Sequence, residues 1–495
     1  MDLLLWTLAV PLITAAIGTV GGLRRLNDLI LVAGLAITFA LSLATAGQFL
    51  RGDVPAAFGD ALRVDGLSAL VLVLCAFVGV LSAAYGVGYL RRNESRGLVT
   101  WRMRREFYGL IPAYVFAMLL VATSNNLGIL WIAVELTTLA SVFLVTFHDR
   151  DTSLEAAWKF LVLGSLGLGF ALLGTVLLFA SGPSQLGEGM QALHWTRFIQ
   201  VAPELHPFTL RLGVVFALIG YGTKAGLAPM HTWKPDAYRE APSPAGMLMG
   251  VGMVNAALYC ILRIHLISKA SLGPEFSGSL LLTLGLLSVL IATPFILVQW
   301  DLKRLLAYSS IEHVGIMAVG VGIGVEAGAF GALLHMTYHS LAKPVAFASA
   351  GTLAQLHSSS DFKRIGNGTF SRAPIASLLL VLAALMITGS PPFGMFFSEM
   401  TILKAGFASA HAKATSVFLA ALVVLFCGFA FQIGRLVLGP SRDPSDRRVP
   451  FPERFDVGMA TAIVAAIVAA VSAFYLPGPL MSLIQSATHV VWGGV

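Results

Sequence analysis

The chain has 495 residues, of which 57% are hydrophobic and 12% charged, and its formal net charge is +7. A soluble domain is usually about one quarter charged, so the composition excludes a soluble globular protein and predicts a membrane protein. The cysteines Cys75, Cys260 and Cys427 lie singly in apolar runs, which gives no sign of an iron–sulfur centre, zinc site or disulfide framework. We expect no cofactor and no metal.

Apolar runs recur along the whole chain, and most have the length of a helix that crosses a hydrocarbon core of about 30 Å. The first run follows an acidic Asp2 and precedes Arg24 and Arg25, the reverse of the order in a cleavable signal peptide, so we expect a retained span. We interpret about fourteen runs as spans. They begin near residues 3, 27, 66, 107, 126, 160, 210, 242, 277, 305, 328, 374, 414 and 457.

Most of the 32 Lys and Arg residues, Lys234 among them, lie in the odd-numbered loops between these spans, such as 91–106 and 440–456. Loops on the cytoplasmic side carry the excess of Lys and Arg. We therefore expect a multi-pass protein of the inner (cytoplasmic) membrane, with the odd loops in the cytoplasm and both termini outside. The positive net charge then reflects loop bias rather than nucleic-acid binding.

Several ionisable residues lie inside the apolar runs, where each costs about 2.5–3.5 kcal/mol on insertion scales. Such residues usually face a polar interior and mark an ion pathway. The predicted proton-conducting residues, called the row below, are Glu135, Lys224, His231, Glu312, His313, His335, His339, Lys343 and Glu399.

His335, His339 and Lys343 are four residues apart, which places them on one face of a helix. Because histidine changes charge near neutral pH, a His–His–Lys stripe suits a proton relay. The alternative is that these groups are hydrogen-bonded and lock helices together.

Glu135 and Lys224 are each the sole ionisable group of an apolar run, and pairing them is the simplest way to bury both. Separating the pair would release a lysine able to give up its proton. The alternative is a static salt bridge.

Two spans contain helix breakers, Pro229 in the seventh and Pro391 with Pro392 in the twelfth. Their offset of five spans is odd, so a five-helix repeat would be inverted, as in transporters with paired broken helices. The predicted fold is an all-α polytopic membrane protein with two inverted five-helix repeats and discontinuous helices 7 and 12. The predicted segments are 1–105, 106–270 (helices 4–8), 271–440 (helices 9–13) and 441–495 with helix 14.

Three stretches carry a family resemblance over about residues 65 to 440: GTKAGLAPMHTWKPDAYREAPSPAGML, DLKRLLAYSSIEHVGIM and HMTYHSLAKPVAFASAG. They resemble the antiporter-like membrane subunits of respiratory complex I, Mrp cation/proton antiporters and membrane-bound hydrogenases. The Ile-Glu-His of SSIEHVG is most similar to the F-type subunit of hydrogenase-4-like complexes.

The resemblance implies a role for each position. Glu135 would be the fifth-helix carboxylate paired with Lys224, His335 and His339 the central relay, and Glu399 the twelfth-helix terminal group, with Lys343 beside the relay. One departure is Asn255, which stands where many members have a helix-eight lysine that connects the two halves. Asparagine cannot titrate, so water, or His313 with the eleventh-helix group, would have to bridge the centre, or transport would be impaired.

The function we expect is that of a non-catalytic, proton-translocating subunit of a redox-driven complex, with other membrane and peripheral subunits as partners. Two related alternatives are an Mrp-type sodium/proton antiporter subunit and an NADH-quinone oxidoreductase subunit of the M/N type. A quinone-binding redox subunit and a scaffold with static charges are the alternatives from other classes. The carboxylates alone do not decide between protons and sodium.

Overall fold

The computed structural model describes residues 3–183, 186, 189–440 and 453–493. Most of this part of the chain is helical, because long apolar runs must satisfy their own backbone hydrogen bonds. The first eleven helices are α1 (Leu3–Val20), α2 (Arg24–Leu50), α3 (Gly66–Glu94), α4 (Trp101–Thr123), α5 (Leu127–Val145), α6 (Asp151–Ala180), α7 (Trp195–Gln200), α8 (Pro207–Ala225), α9 (Trp233–Glu240), α10 (Ser243–Met247) and α11 (Met253–Leu272).

The chain continues with a second set of helices. These are α12 (Pro274–Val298), α13 (Leu302–Gly322), α14 (Glu326–Leu356), α15 (Phe362–Ile365), α16 (Pro374–Ile387), α17 (Gly394–Ala408), α18 (Ala412–Leu438), α19 (Val457–Ser472) and α20 (Gly478–Gly493). A π-helical turn, Leu248–Gly252, joins α10 to α11. The strands β1 (Ala56–Ala57) and β2 (Leu62–Arg63) form one short antiparallel pair.

Ten helical segments of the described chain are long and apolar enough to cross a membrane, and two more, Pro374–Ile387 and Val457–Ser472, are apolar but shorter. The prediction of an all-helical, multi-pass membrane protein is confirmed. Both predicted breaks are present, between α8 and α9 and between α16 and α17.

The C-terminal segment differs from the expectation of a single last helix. The run that begins near 457 ends at Ser472, and a second helix, α20, follows it. Pro477 lies between the two, and a residue before proline is disfavoured in helical conformation. Residues 441–452 of the loop predicted before this helix lie outside the described residues.

Two helix pairs pack so closely that only glycine fits between them. A Cβ atom on Gly174 of α6 would lie 2.8 Å from the carbonyl oxygen of Gly213 in α8. In the same way, a Cβ on Gly285 of α12 would lie 2.7 Å from the carbonyl of Gly315 in α13. Small residues at such contacts are typical of packed membrane helices. They fix the positions of α8 and α13, which carry several of the ionisable side chains.

A buried ion pair joins α11 to the start of α3. Arg263 is fully buried and its guanidinium donates to Asp65 Oδ1 at 2.6 Å. The guanidinium also lies over the rings of Trp195, at 3.9 Å, and Tyr259, at 4.6 Å. Asp65 in turn accepts from the backbone N–H of Ser68 at 2.9 Å, which caps α3.

We expect Asp65→Ala to lower the free energy of unfolding by about 3–5 kcal/mol, because it leaves the Arg263 charge buried without its carboxylate. The measurement is denaturant or thermal unfolding of the full chain in detergent. The matched control is Glu106→Ala, which removes the exposed ion pair with Arg102 and should change stability little. Equal effects of the two substitutions would contradict this account of the Arg263 pair.

Candidate functional site

The first group of ionisable side chains joins α5 to α8. Lys224 is buried, and its Nζ donates to the hydroxyl of Thr138 at 2.8 Å. The same hydroxyl lies 3.5 Å from Oε2 of Glu135, one turn earlier on α5. Lys224 and Glu135 attract each other electrostatically, but no direct ion pair within 4.0 Å joins them. The two predicted partners are therefore connected through a threonine hydroxyl.

A second group joins α13 to α14 in a similar way. Lys343 is fully buried, and its Nζ donates to the hydroxyl of Ser309 at 2.9 Å. Glu312 lies one turn after Ser309 on α13 and attracts Lys343 electrostatically. In both groups a buried lysine contacts a hydroxyl that lies one helical turn from a carboxylate.

Three fully buried imidazoles lie beside Lys343 on α13 and α14. His313 Nδ1 is 3.0 Å from His335 Nε2, and His335 Nδ1 is 2.9 Å from the hydroxyl of Ser398. The ring centre of His339 lies 5.0 Å from that of His313. Within the described chain, both ring nitrogens of His339 and Nε2 of His313 have no hydrogen-bond partner. Each ring can donate through one nitrogen and accept through the other, so the chain from His313 to Ser398 can pass a proton.

The imidazole chain ends at the second helix break. Ser398 precedes Glu399 on α17, and Glu399 is largely buried. Its carboxylate packs directly against Gly389, which has a φ of +64° in the turn between α16 and α17. A Cβ atom on Gly389 would overlap the carboxylate. The break therefore holds Glu399 near the last group of the relay.

The first break holds an ionisable side chain in a comparable position. Gly226, with a φ of +80°, ends α8, and a Cβ atom on it would lie 3.0 Å from Nζ of Lys234 at the start of α9. Lys234 is fully buried, and its amine donates to the carbonyl of Ala225 at 2.8 Å. Trp233 donates to the carbonyl of Thr223 at 2.9 Å, so two α9 side chains satisfy carbonyls at the end of α8.

Sequence reasoning missed Lys234 because it counted this residue among the basic residues of a polar loop. The signal that could have found it is its place between Trp233 and Pro235, directly behind the broken helix. His231, a predicted member of the row, lies in the turn between α8 and α9 and is largely buried.

Asn255 joins α11 to α14. Its Nδ2 donates at 2.8 Å to the hydroxyl of Ser340, the residue after His339 on α14. Asn255 is fully buried, so α11 presents a polar but uncharged side chain to α14.

A polar cavity of about 200 Å³ opens at one end of α3, α9 and α14. Four basic side chains, Arg96, Arg150, Arg239 and Lys303, line the cavity together with one acidic residue, Glu240. The Lys303 amine is buried and donates to the carbonyls of Ala241, at 2.7 Å, and Arg239, at 3.2 Å. The cavity lies at the ends of the odd loops that sequence analysis places in the cytoplasm.

Comparison with known proteins decides the family. Residues 124–426 match the family described as NADH:quinone oxidoreductase/Mrp antiporter, TM. The chain belongs to this family. It is an antiporter-like membrane subunit of the hydrogenase-4 and NADH-quinone oxidoreductase type, as the sequence motifs predicted.

The relatives cover most of the chain. A hydrogenase-4 component F homolog of Methylacidiphilum infernorum is 36% identical over 388 residues, 78% of this chain and 79% of the relative. NADH-quinone oxidoreductase subunit N of Halorhodospira halophila is 29% identical over 94% of this chain and 92% of its own length. Among solved structures, an archaeal membrane-bound sulfane sulfur reductase has the same fold, with a TM-score of 0.86 and 22% identity over 99% of this chain and 98% of its own.

We expect Gly226→Ala and Gly389→Ala each to lower the free energy of unfolding by roughly 1 kcal/mol or more, because alanine is strained at positive φ and its Cβ meets an ionisable side chain. Unfolding of the full chain in detergent measures the effect. The control, Gly434→Ala, places a Cβ in open space within α18, and it should stabilise by roughly 0.5–1 kcal/mol. If Gly226→Ala and Gly389→Ala both unfold with the same free energy as the unsubstituted chain, the described packing at the two breaks is wrong.

Proposed function

We propose that this chain carries protons through the membrane part of a larger complex, along two lysine–hydroxyl–carboxylate groups and the imidazole chain that ends at Glu399. The observation that carries the proposal is the repeated contact between a buried lysine and a hydroxyl next to a carboxylate. This arrangement keeps each pair close enough to interact but leaves the lysine without a direct counter-ion.

The hydroxyl makes each lysine a switch. When the amine and carboxylate approach through Thr138 or Ser309, the ammonium form is favoured by the nearby negative charge. When they separate, the lysine is left buried without compensation and can release its proton, since a buried amine changes protonation state readily. If another protein separates Glu135 from Lys224, the proton that Lys224 releases therefore moves along the row.

The imidazole chain favours protons over sodium as the transported ion. Hydrogen-bonded rings accept a proton at one nitrogen and release it from the other, and they offer no such path to a metal cation. Sodium/proton exchange, the function of the Mrp relatives, remains the second candidate because Glu135, Glu312 and Glu399 are carboxylates.

The proposed topology has fourteen spans with both termini outside, the broken helices α8–α9 and α16–α17 being spans seven and twelve. Spans 4–8 (residues 106–270) and 9–13 (271–440) form the inverted repeats. The two breaks support this, since each has a glycine at positive φ and a buried ionisable side chain packed on it. The basic residues around the cavity of Lys303 support a cytoplasmic position for that end.

A partner subunit covers the outer face of α5 in this proposal. Glu135 is partly exposed there, and the neighbouring Ile132, Leu136 and Leu139 are exposed. A carboxylate that faced lipid would be costly, so another protein surface is the better neighbour for this face. Such a partner is well placed to move charge next to Glu135 and so drive the switch. The electron carriers would belong to other subunits of a hydrogenase-like or complex I-like assembly.

We expect Lys224→Ala and Glu135→Gln each to reduce proton flux by at least about tenfold, because each removes one side of the switch. Flux is measured in vesicles that contain the assembled complex, with a pH-sensitive dye and a potassium diffusion potential as the driving force. The control is Lys269→Gln, which changes a lysine bound to the backbone carbonyls of α20, away from the row. Unchanged flux in correctly assembled Lys224→Ala and Glu135→Gln complexes would overturn the proposal, and flux that requires sodium would favour the antiporter.

Thr138→Val should also lower proton flux by about tenfold, because it keeps the shape of the side chain but removes the hydroxyl between Lys224 and Glu135. The matched control is Thr138→Ser, which keeps the hydroxyl and should retain flux. The same vesicle assay measures both. Equal flux in the two variants would show that the hydroxyl is not part of the switch.

A further inference from the structure

The row lacks a titratable residue between its first group, on α5 and α8, and its second group, on α13 and α14. Glu135 and Lys224 lie on α5 and α8, whereas Lys343 and the three imidazoles lie on α13 and α14. Asn255, on α11, forms a neutral hydrogen bond with Ser340 and cannot carry a proton charge. A proton that moves between the halves therefore needs another titratable group.

Lys234 lies at the end of the helix that carries Lys224. Its amine donates to the carbonyl of Ala225, the residue after Lys224, from the other side of the helix break. The side chain is fully buried, and no carboxylate of the described residues lies within 4.0 Å of it. Lys234 therefore has a neutral acceptor where Arg263 has a carboxylate.

The same amine is within electrostatic reach of the second half. Lys234 repels Lys343 when both are charged, and its charge also acts on His313 and His339. Both ring nitrogens of His339 lack a partner within the described chain, so one of them is available to accept a proton. Lys234 thus contacts the end of the helix that carries Lys224 and interacts electrostatically with the imidazole cluster.

The two helix breaks support a functional assignment. Lys234 packs on Gly226 at the first break as Glu399 packs on Gly389 at the second. The proposed function places Glu399 at the end of the row, and Lys234 has the corresponding location in the other half.

We propose that Lys234 is the titratable group that passes protons between the two halves, in the role that Asn255 cannot fill. The inference rests on the proposed function. A proton released by Lys224, as its N–H bond breaks, moves through water to neutral Lys234, where a new N–H bond forms. The Lys234 ammonium then gives a proton to a ring nitrogen of His339, directly or through water, and returns to the neutral amine.

A purely structural role makes a different prediction. In that role the Lys234 amine caps the last carbonyls of α8, where a cation or any donor is favourable. Glutamine keeps a donor for the Ala225 carbonyl but cannot titrate, and arginine keeps the charge but does not release its proton. Lys234→Gln and Lys234→Arg therefore separate capping from proton transfer.

The experiment measures potential-driven proton flux in vesicles that contain the assembled complex, together with the melting temperature of each variant. We expect Lys234→Gln and Lys234→Arg to lose at least about tenfold in flux, while Lys269→Gln keeps it. The double variant Lys234→Gln with Asn255→Lys should recover flux, because it returns a titratable amine to the junction next to Ser340 and His339.

The proposal is overturned if Lys234→Gln keeps flux within about twofold of the unsubstituted complex, or if the double variant does not recover it. Either result is distinguishable from failure of the proposed function. If the proposed function fails, Lys224→Ala keeps its proton flux as well. If only the role of Lys234 fails, Lys224→Ala is still inactive.

Discussion

Burying a cation among apolar helices is the constraint on which the rest of this structure depends. A charge removed from water must find a counter-charge or a hydrogen-bond acceptor, and the chain solves this in two ways. Arg263 has a carboxylate 2.6 Å away, which fixes the pair and the helices that carry it. Lys224, Lys234 and Lys343 contact hydroxyl or carbonyl oxygens instead. Neutral acceptors hold a lysine in place without committing it to the charged form, which is the property that a proton relay requires.

The helix packing serves these contacts. Glycines hold α8 close to α6, which also packs on α5, and this arrangement brings Lys224 to Thr138 on α5. Ser309 is fixed by the similar close contact between α12 and α13. The breaks add what a continuous helix cannot offer, namely free carbonyls at membrane depth. Ala225 supplies such a carbonyl, and Lys234 satisfies it from the next half-helix. The same feature that would destabilise an ordinary span thereby positions an ionisable group in the interior.

The sequence predicts the helical architecture well because hydrophobic runs, charged interruptions and prolines are local signals. The stripe of His335, His339 and Lys343 follows from a spacing of four. The roles of Thr138 and Ser309 could not be predicted, since a hydroxyl in an apolar run usually bonds to its own helix, and only the packing of two helices brings a lysine to it. Lys234 was assigned to a loop because a charge count treats every lysine outside an apolar run as solvated. Its burial depends on how α9 packs against α6 and α13, which no local pattern encodes.

Charge balance gives a further reason for a lysine at the first break. The row contains the carboxylates Glu135, Glu312 and Glu399, and only with Lys234 does it contain as many lysines as carboxylates. A buried row with an unmatched carboxylate would have to hold an extra proton at rest, because an isolated buried charge is strongly unfavourable. With the lysines matched to the carboxylates, a proton can enter at one end and leave at the other while the row returns to the same net charge. In the proposed relay, Lys234 thus supplies the titratable group that Asn255 lacks, and its charge balances the third carboxylate.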